Sequence, residues 1–540
     1  MRARNLRVAS YYILTRPLSN SATASKSGEY ERIVDAYSGK SVLVTGGTGF
    51  VGKILIERLL YNCVDIKNIY VLMRQKKDVP LHTRLEGMFS LPIFTKLKET
   101  RPEDFNKLIP VYGDLLEDRL GIKATDQKLL EENVSMVFHT AASVSFKAQL
   151  KQAMDTNYSG TQKVIDLTKR IKNLESFVYF STAFVKATSP ELEEEPVPPI
   201  VSQEQLEKSM RTGNTSELLS VLDAPMYIFS KSVAENLVVQ ESKELPTTII
   251  RPSAVTACLR DPLPGWMDTW IAHPSFFVEH SRGLVSAAVG HRDVVADIIP
   301  ADYVANLAIV AAARGRRSRT LQVYNCCSGD VNPMTWQQGA DLFRQRAEVD
   351  GRWDLPPKRL MLMSSPLLVA VLTLVRDTLP ALLRDLALVI RGKTPKYTKM
   401  HLRARFIRHS CIPVMRHSVI FRSSRTLRLA QSLDDADRAQ LPFDPTTITW
   451  PRYLATVYDG IYKYMHKKYA FYVLNDIDQS LNIECRVIPL LEDCKKNIDD
   501  TAITFYDATW EQVRKRAEDG MATLSNWLNS EKCCLRPFLA

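Results

Sequence analysis

The sequence predicts an α/β fold, a doubly wound parallel sheet followed by a mainly helical C-terminal domain. Three observations carry this. Short apolar runs alternate with helix-length segments through the first part of the chain; one of those runs ends in a glycine-rich turn that opens a helix; and from about Pro356 the alternation gives way to helices alone. The 540 residues, 45% hydrophobic and 24% charged, are globular material. They exceed the ~100–200 residues of one typical domain.

In chain order, residues 1–28 come first, rich in Arg and Ser and free of acids. That is the composition of a mitochondrial transit peptide or of a disordered basic extension. Strand-like runs follow at Val42 to Val44, Ile69 to Met73, Ile109 to Tyr112, Met136 to Phe138, Phe177 to Phe180 and Thr247 to Ile250. Between them lie helical segments such as Lys53 to Leu60, Asn157 to Ile171 and Ser230 to Glu241. In such a sheet, ligands sit beyond the carboxyl ends of the strands.

The segment Pro366 to Ile390 is the most apolar in the chain. Arg376/Asp377 and Arg384/Asp385 interrupt it before ~18 uncharged residues accumulate, so it does not read as a simple membrane span. At about 100° per residue, both charged pairs and Thr373 fall in one half-circle, with Leu367, Val371, Leu374, Leu382, Leu386 and Val389 in the other. An amphipathic helix bent at Pro380 is predicted, either packed on a protein core or lying on a membrane. The chain thus divides into a basic extension (1–28), a nucleotide-binding domain (29–355), a helical domain (356–470) and a tail (471–540).

Net charge is +11, and it is local. Residues 1–28 hold five basic residues, and Leu386 to Leu433 hold eleven, neither with an acid. These stretches carry +16 and leave −5 for the remainder. This argues against nucleic acid as a partner and leaves a patch for anionic lipid or a phosphorylated substrate. Nine cysteines without a C-x-x-C pair or zinc spacing fit reduced thiols in a reducing compartment and no metal site.

The glycine-rich turn is "SVLVTGGTGFVGKILIERLL", Ser41 to Leu60. Gly46, Gly49 and Gly52 satisfy G-x-x-G-x-x-G, and Gly47, Gly49 and Gly52 also satisfy G-x-G-x-x-G. A strand delivering a tight turn to a helix N-terminus cradles a pyrophosphate, as in Rossmann-type dinucleotide binding. At the end of the second strand an acid would select NAD, but this chain offers Arg74, with Lys76 and Lys77 behind it. A guanidinium there suits a 2′-phosphate and predicts NADPH. Asp114 in "VYGDL" is placed either to accept from the adenine amino group or to close a turn.

A second constellation is "YIFSK", Tyr227 to Lys231. Four residues apart on a helix, the Lys231 ammonium can lower the Tyr227 pKa, so that the phenol protonates a carbonyl oxygen as hydride arrives at its carbon. Ser181 and Thr182, ending the fifth strand, offer a hydroxyl to the same oxygen. His139 and Arg251 read as structural residues, with the phosphates of a substrate the alternative for Arg251.

Taken together, "VTGGTGFVGKILIERLL", "IYVLMRQKK", "VYGDL", "VFHTAASVSF", "STAF", "YIFSKSVAE", "IIRPSAVTA", "PGWMD", "VADIIPADYV" and "YNCCSG" resemble, in order and spacing, the fatty acyl-CoA reductases of the extended short-chain dehydrogenase/reductase superfamily. The resemblance spans roughly Glu29 to Asn332 and continues through "KYTKMH", "LPFDPTTITW" and "YKYM". It implies NADPH-dependent reduction of a long-chain fatty acyl-CoA to a primary alcohol, on an endoplasmic reticulum or peroxisomal membrane. The cofactor would lie along Thr45, Gly46, Gly47, Thr48, Gly49, Phe50, Val51 and Gly52, with Arg74, Asp114, Leu115, Ala141, Ala142 and Lys231. Tyr227 and Lys231 would be the catalytic pair, with Thr182 as the hydroxyl partner; Ser181 stays a candidate by its place at the strand end. Direct hydride attack on the thioester, collapse of the hemithioacetal to CoA and aldehyde, and a second reduction would give the alcohol. Two alternatives are a reductase of another hydrophobic carbonyl, such as a sterol, and a nucleotide-sensing protein without turnover. The basic extension, which admits a mitochondrial address, and the tail without an apolar anchor depart from the family. Nothing in the sequence sets the oligomeric state.

Overall fold

Seven parallel strands, six of them the predicted runs, make the central sheet of the computed structural model. It describes residues 30–75, 79–144, 150–186, 189–212, 226–270 and 272–465; the extension 1–28, Lys76, Lys77 and the tail 471–540 lie outside these. The strands are β1 (Ser41–Thr45), β2 (Asn68–Met73), β3 (Leu108–Tyr112), β4 (Val134–His139), β5 (Ser176–Phe180), β7 (Thr247–Pro252) and an edge strand, Gln322–Cys326. A two-residue strand, β6 (Glu191–Leu192), lies apart and pairs with Ile420–Phe421. The edge strand was not predicted. "QVYNC" places Gln and Asn within five residues and joins the sheet through its register with β7, Gln322 opposite Thr248.

Strand order is Gln322–Cys326, β7, β5, β4, β1, β2, β3. The chain therefore winds outward one way from β1 and the other way from β4, and a crevice opens between their carboxyl ends. Side chains alternate between two cores, as a period of two requires. Val42, Val44, Met136, Phe138 and Val178 join one cluster; Leu43, Val137, Phe177 and Tyr179 join the other. Helices Phe50–Asn62 and Ala301–Arg314 cover the first face, and Gly160–Lys169 and Met226–Glu241 the second.

The C-terminal helices share the first core, which runs from Ile33 to Met465. Glu194, just past β6, receives the backbone N–H of Arg425, that of Thr426 at 3.0 Å and the Thr426 hydroxyl at 2.7 Å, so it caps helix Ser424–Gln431. Gly265 and Gly460 touch backbone to backbone.

Helix Pro366–Ile390 has the predicted two faces, but the polar one meets the protein. Val369, Thr373, Asp377, Ala381 and Asp385 are buried at four-residue spacing. Leu367, Leu368, Val371, Leu374, Val375, Leu379, Leu382, Leu383, Leu386 and Ile390 are exposed. By length and composition the segment is also long and apolar enough to cross a membrane, contrary to the reading from its charged pairs. Just before Pro380, where a bend was predicted, the helix makes a π-turn over Leu374–Thr378. Proline has no N–H for the carbonyl four residues back, and Lys358 donates to that carbonyl, on Arg376, instead.

Candidate active site

Gly46 decides between the two overlapping glycine templates. Its φ is +72°, and a Cβ there would lie 2.6 Å from the Ala141 nitrogen and 2.7 Å from the Thr140 hydroxyl. A Cβ on Gly52 would strike the Gly46 carbonyl, whereas one on Gly47 would meet only the side-chain ends of Val71 and Ile56. The spacing in use is therefore Gly46, Gly49, Gly52. Ala141, leaving β4, packs against the turn leaving β1, at the switch point of the sheet.

This turn fits a dinucleotide. Gly49 is the N-cap of helix Phe50–Asn62 and offers no side chain, and the first turn holds no acid, so the amides of Phe50 and Val51 remain for an anionic acceptor. A Cβ at Gly49 would have its nearest neighbour at 3.1 Å, on the turn itself, which keeps the approach open. Thr45 contributes differently: its buried hydroxyl bonds His139 Nδ1 at 2.7 Å and accepts from the Ala141 N–H at 3.4 Å. His139 Nε2 bonds the Thr161 hydroxyl at 2.9 Å, which donates to the Asn157 carbonyl at 2.6 Å. Burial holds His139 down to about 3, so it is a neutral link between strand ends and not an acid.

Lys53, Asp268 and Trp266, given no role from the sequence, also hold the turn. Lys53 donates to the Thr48 carbonyl at 2.7 Å and pairs with Asp268 at 2.7 Å, while the Phe50 ring lies 5.6 Å from Trp266. Both partners belong to "PGWMD". A lysine in the first turn of the helix, directly after the glycines, was the available signal.

On the other side of the turn, the pairing of Thr45 with Leu72 puts Arg74 level with the glycines. Arg74 is exposed, and its guanidinium has no ion pair among the described residues. Asp114 Oδ1 accepts from the Leu116 N–H at 3.0 Å, closing a turn beyond β3. Leu115 packs on Gly160, where a Cβ would come within 2.9 Å.

Helix Met226–Glu241 brings Tyr227, Lys231 and Glu235 to one face, four residues apart, against the end of β5. Tyr227 is hydrogen-bonded to Thr182, whose oxygen also receives the Phe184 N–H at 3.3 Å. Burial pushes Tyr227 up to about 12, and the Thr182 bond pulls the other way. This departs from the expected acidification by lysine. The Lys231 ammonium donates to the Phe180 carbonyl, lies 4.4 Å above the Tyr179 ring, and is pushed down by burial to about 7, with Glu235 opposing. A lysine half relieved of its own charge cannot strongly acidify a neighbour.

Ser181 turns away from Tyr227: its hydroxyl donates to Glu235 at 2.5 Å. Glu235 is gripped by Arg251, which also donates to the Glu193 and Glu195 carbonyls at 3.0 and 2.8 Å. Arg251 is fully buried, which excludes CoA phosphates as its ligand. Asn157 opens a motif shared with the family, "NYSGT", but the sequence assigns it no role. It receives the Ser143 N–H at 2.7 Å and donates to the Ser143 carbonyl at 3.0 Å and to the Ser230 hydroxyl at 2.9 Å, tying the loop after β4 to the Tyr227 helix. The π-turn Asp155–Ser159 that presents it has no sequence signature. The five cysteines among the described residues form no disulfide with one another and are buried. Burial raises Cys63, Cys258, Cys326, Cys327 and Cys411, so no thiolate nucleophile arises from them.

Known proteins combine these parts. The NAD-binding family model described as male sterility protein matches residues 44–308, and the Sterile model of the same description matches 376–468. The chain is 31% identical over 449 residues to fatty acyl-CoA reductase 1 of Xenopus laevis, covering 80% of this chain and 86% of that protein. To fatty acyl-CoA reductase wat of Drosophila melanogaster it is 31% identical over 440 residues, covering 80% and 85%. Among solved structures, the terminal R domain from the myxalamid PKS-NRPS biosynthetic pathway shares the fold, with a TM-score of 0.54 at 19% identity over 79% of this chain and 92% of that one. A nicotinamide-nucleotide-binding Rossmann core and a Sterile segment in one chain, with this identity across four-fifths of its length, make the protein a member of the fatty acyl-CoA reductase family.

Proposed function

We propose that this reductase takes long-chain fatty acyl-CoA, uses NADPH, and carries the thioester through to the primary alcohol with release of CoA. The observation that supports this best is the meeting of Thr182 and Tyr227 at the carboxyl end of β5, with Lys231 one turn along the same helix. When bound, NADPH supplies the hydride for each of the two reductions. Gly46, Gly49, Phe50 and Val51 would receive its pyrophosphate, and the exposed Arg74 guanidinium its 2′-phosphate.

At the reacting carbonyl, Tyr227 is the proton donor. A phenol held up to about 12 is fully protonated at neutral pH and can give that proton to an oxygen gaining negative charge. Thr182 fixes the direction of the phenol oxygen and offers its hydroxyl to the same charge. Lys231, anchored on the Phe180 carbonyl, holds its ammonium beside the site and supplies positive charge when protonated. Residues 29–355 carry this chemistry. Residues 356–470 brace it and associate the enzyme with an intracellular membrane, of the endoplasmic reticulum or peroxisome; the apolar helix Pro366–Ile390 supports that reading.

The test is oxidation of NADPH and, in parallel, NADH in the presence of palmitoyl-CoA, with products identified by mass. Hexadecanol plus free CoA, formed preferentially with NADPH, is expected. No consumption with any acyl-CoA would overturn the proposal, and equal rates with NADH would overturn its cofactor part.

A further inference from the structure

Helix Pro366–Ile390 is inside out by the standards of a soluble protein. Thr373 accepts from Arg408 Nη1 at 2.6 Å. Asp377 accepts the Ser286 N–H at 3.1 Å, and Asp385 takes three backbone N–H groups, those of Lys396, Tyr397 and Thr398, at 2.8, 2.9 and 2.7 Å. With buried Val369 and Ala381 these points run from Val369 to Asp385, so the body of the protein lies against one side over most of the helix. The opposite side exposes a continuous stripe from Leu367, 64% exposed, through Val375 at 56% and Leu383 at 66% to Ile390 at 74%. Such a stripe exceeds what monomeric proteins commonly leave to water. Among the described residues nothing covers it.

What covers it is indicated by charge. At its carboxyl end the stripe runs into exposed Arg391, Lys393, Lys396, Lys399 and Arg405, in a stretch with no acid from Leu386 to Leu433. An apolar face beside uncompensated cations matches acyl chains beside anionic headgroups. A protein partner, or a second copy of this chain, would have to bring its own excess of acid to a region where this one has none.

We infer that the outward face of Pro366–Ile390 is a monotopic membrane seat, lying in the plane of an anionic phospholipid surface. The helix does not cross the bilayer, because its polar side is held against the protein from Val369 to Asp385 and crossing would carry that body into the hydrocarbon. Apolar burial and headgroup attraction act on one face and add. This rests on the membrane-associated reading above and specifies the segment, its orientation and the lipid charge.

The experiment is flotation of the full-length protein with vesicles of phosphatidylcholine alone or with phosphatidylserine. Wild type should float with the mixed vesicles and much less with phosphatidylcholine. The double variant Val375→Asp/Leu383→Asp should lose the bound fraction about tenfold or more at an unchanged thermal midpoint. Should that variant not fold, Arg391→Glu/Lys393→Glu, which leaves the apolar face intact, should abolish the preference for anionic vesicles. Flotation of Val375→Asp/Leu383→Asp equal to wild type would overturn this inference and keep the membrane-associated reading. No flotation of wild type would overturn both. A wild-type dimer that this variant turns into a monomer, without flotation of either, would assign the face to a second copy.

Discussion

Arg251 and Glu235 hold each other in a pair with no access to water: Nη2 meets Oε1 at 2.5 Å, and Nε lies 3.1 and 3.2 Å from the two carboxylate oxygens. The carboxylate also takes the Ser181 hydroxyl, so the end of β5 and the catalytic helix share one charge. Removing it by Glu235→Ala strands a buried guanidinium and should cost ~3–5 kcal/mol, read as a fall in the urea midpoint. Glu235→Gln should be milder in stability yet shift the alkaline limb of the rate profile to lower pH, since Lys231 loses the one charge that raises its pKa. An unchanged profile in Glu235→Gln would separate the carboxylate from Lys231.

Tyr227→Phe keeps the ring and removes the proton. We expect turnover to fall by ~10²–10⁴-fold, with NADPH affinity, measured by fluorescence titration, within about twofold of wild type because the cradle around Gly46 is untouched. Near-normal turnover would require another proton donor.

Arg74→Ala should weaken NADPH by ~10–100-fold and leave NADH within experimental scatter, the range for losing a charge-assisted phosphate contact at a partly solvated site. Comparison of KM for the two cofactors reads this directly. Equal losses for both would mean that Arg74 shapes the turn and does not recognise a phosphate.

Gly46→Ala combines a left-handed backbone with collision into Ala141 and should abolish cofactor binding while lowering stability by ~1–3 kcal/mol. Gly87→Ala is its control. In helix Leu81–Phe89, with open space around the new methyl, it should stabilise by ~0.5–1 kcal/mol. Similar thermal midpoints for the two variants would contradict the geometry of the turn.

His139 makes stability fall in acid. Its folded pKa of about 3 lies below its ordinary 6.5, so the unfolded chain binds the proton first; stability is full above 6.5 and drains as pH falls toward 3. At up to ~1.4 kcal/mol per pH unit, wild type should lose more across this window than His139→Gln, measured by urea denaturation at each pH. Parallel losses would show that the ring is protonated in the fold.

Six strands and the catalytic helix were legible because apolar runs and the Tyr-x-x-x-Lys spacing are local signals. Gln322–Cys326 was not, since Asn325 earns its buried place through distant carbonyls, those of Leu192 and Arg422. The periodicity of Pro366–Ile390 sorted residues onto two faces, but which face meets the protein depends on Ser286 and on the amides of residues 396–398, which no helical wheel contains. Position at the strand end does not separate Ser181 from Thr182, and only the family resemblance favours Thr182; in the fold Glu235, brought alongside by the helix, takes one hydroxyl and leaves the other to Tyr227.

Gly265 and Gly460 leave no room for a side chain on either one, and they sit in different family segments, within 44–308 and 376–468. Gly265 precedes the Trp266 and Asp268 that steady the nucleotide turn. The two segments are consequently poor currency for recombination. A chimera that took one from a distant relative would inherit half of a lock, and the misfit would surface far from the splice, at the nucleotide.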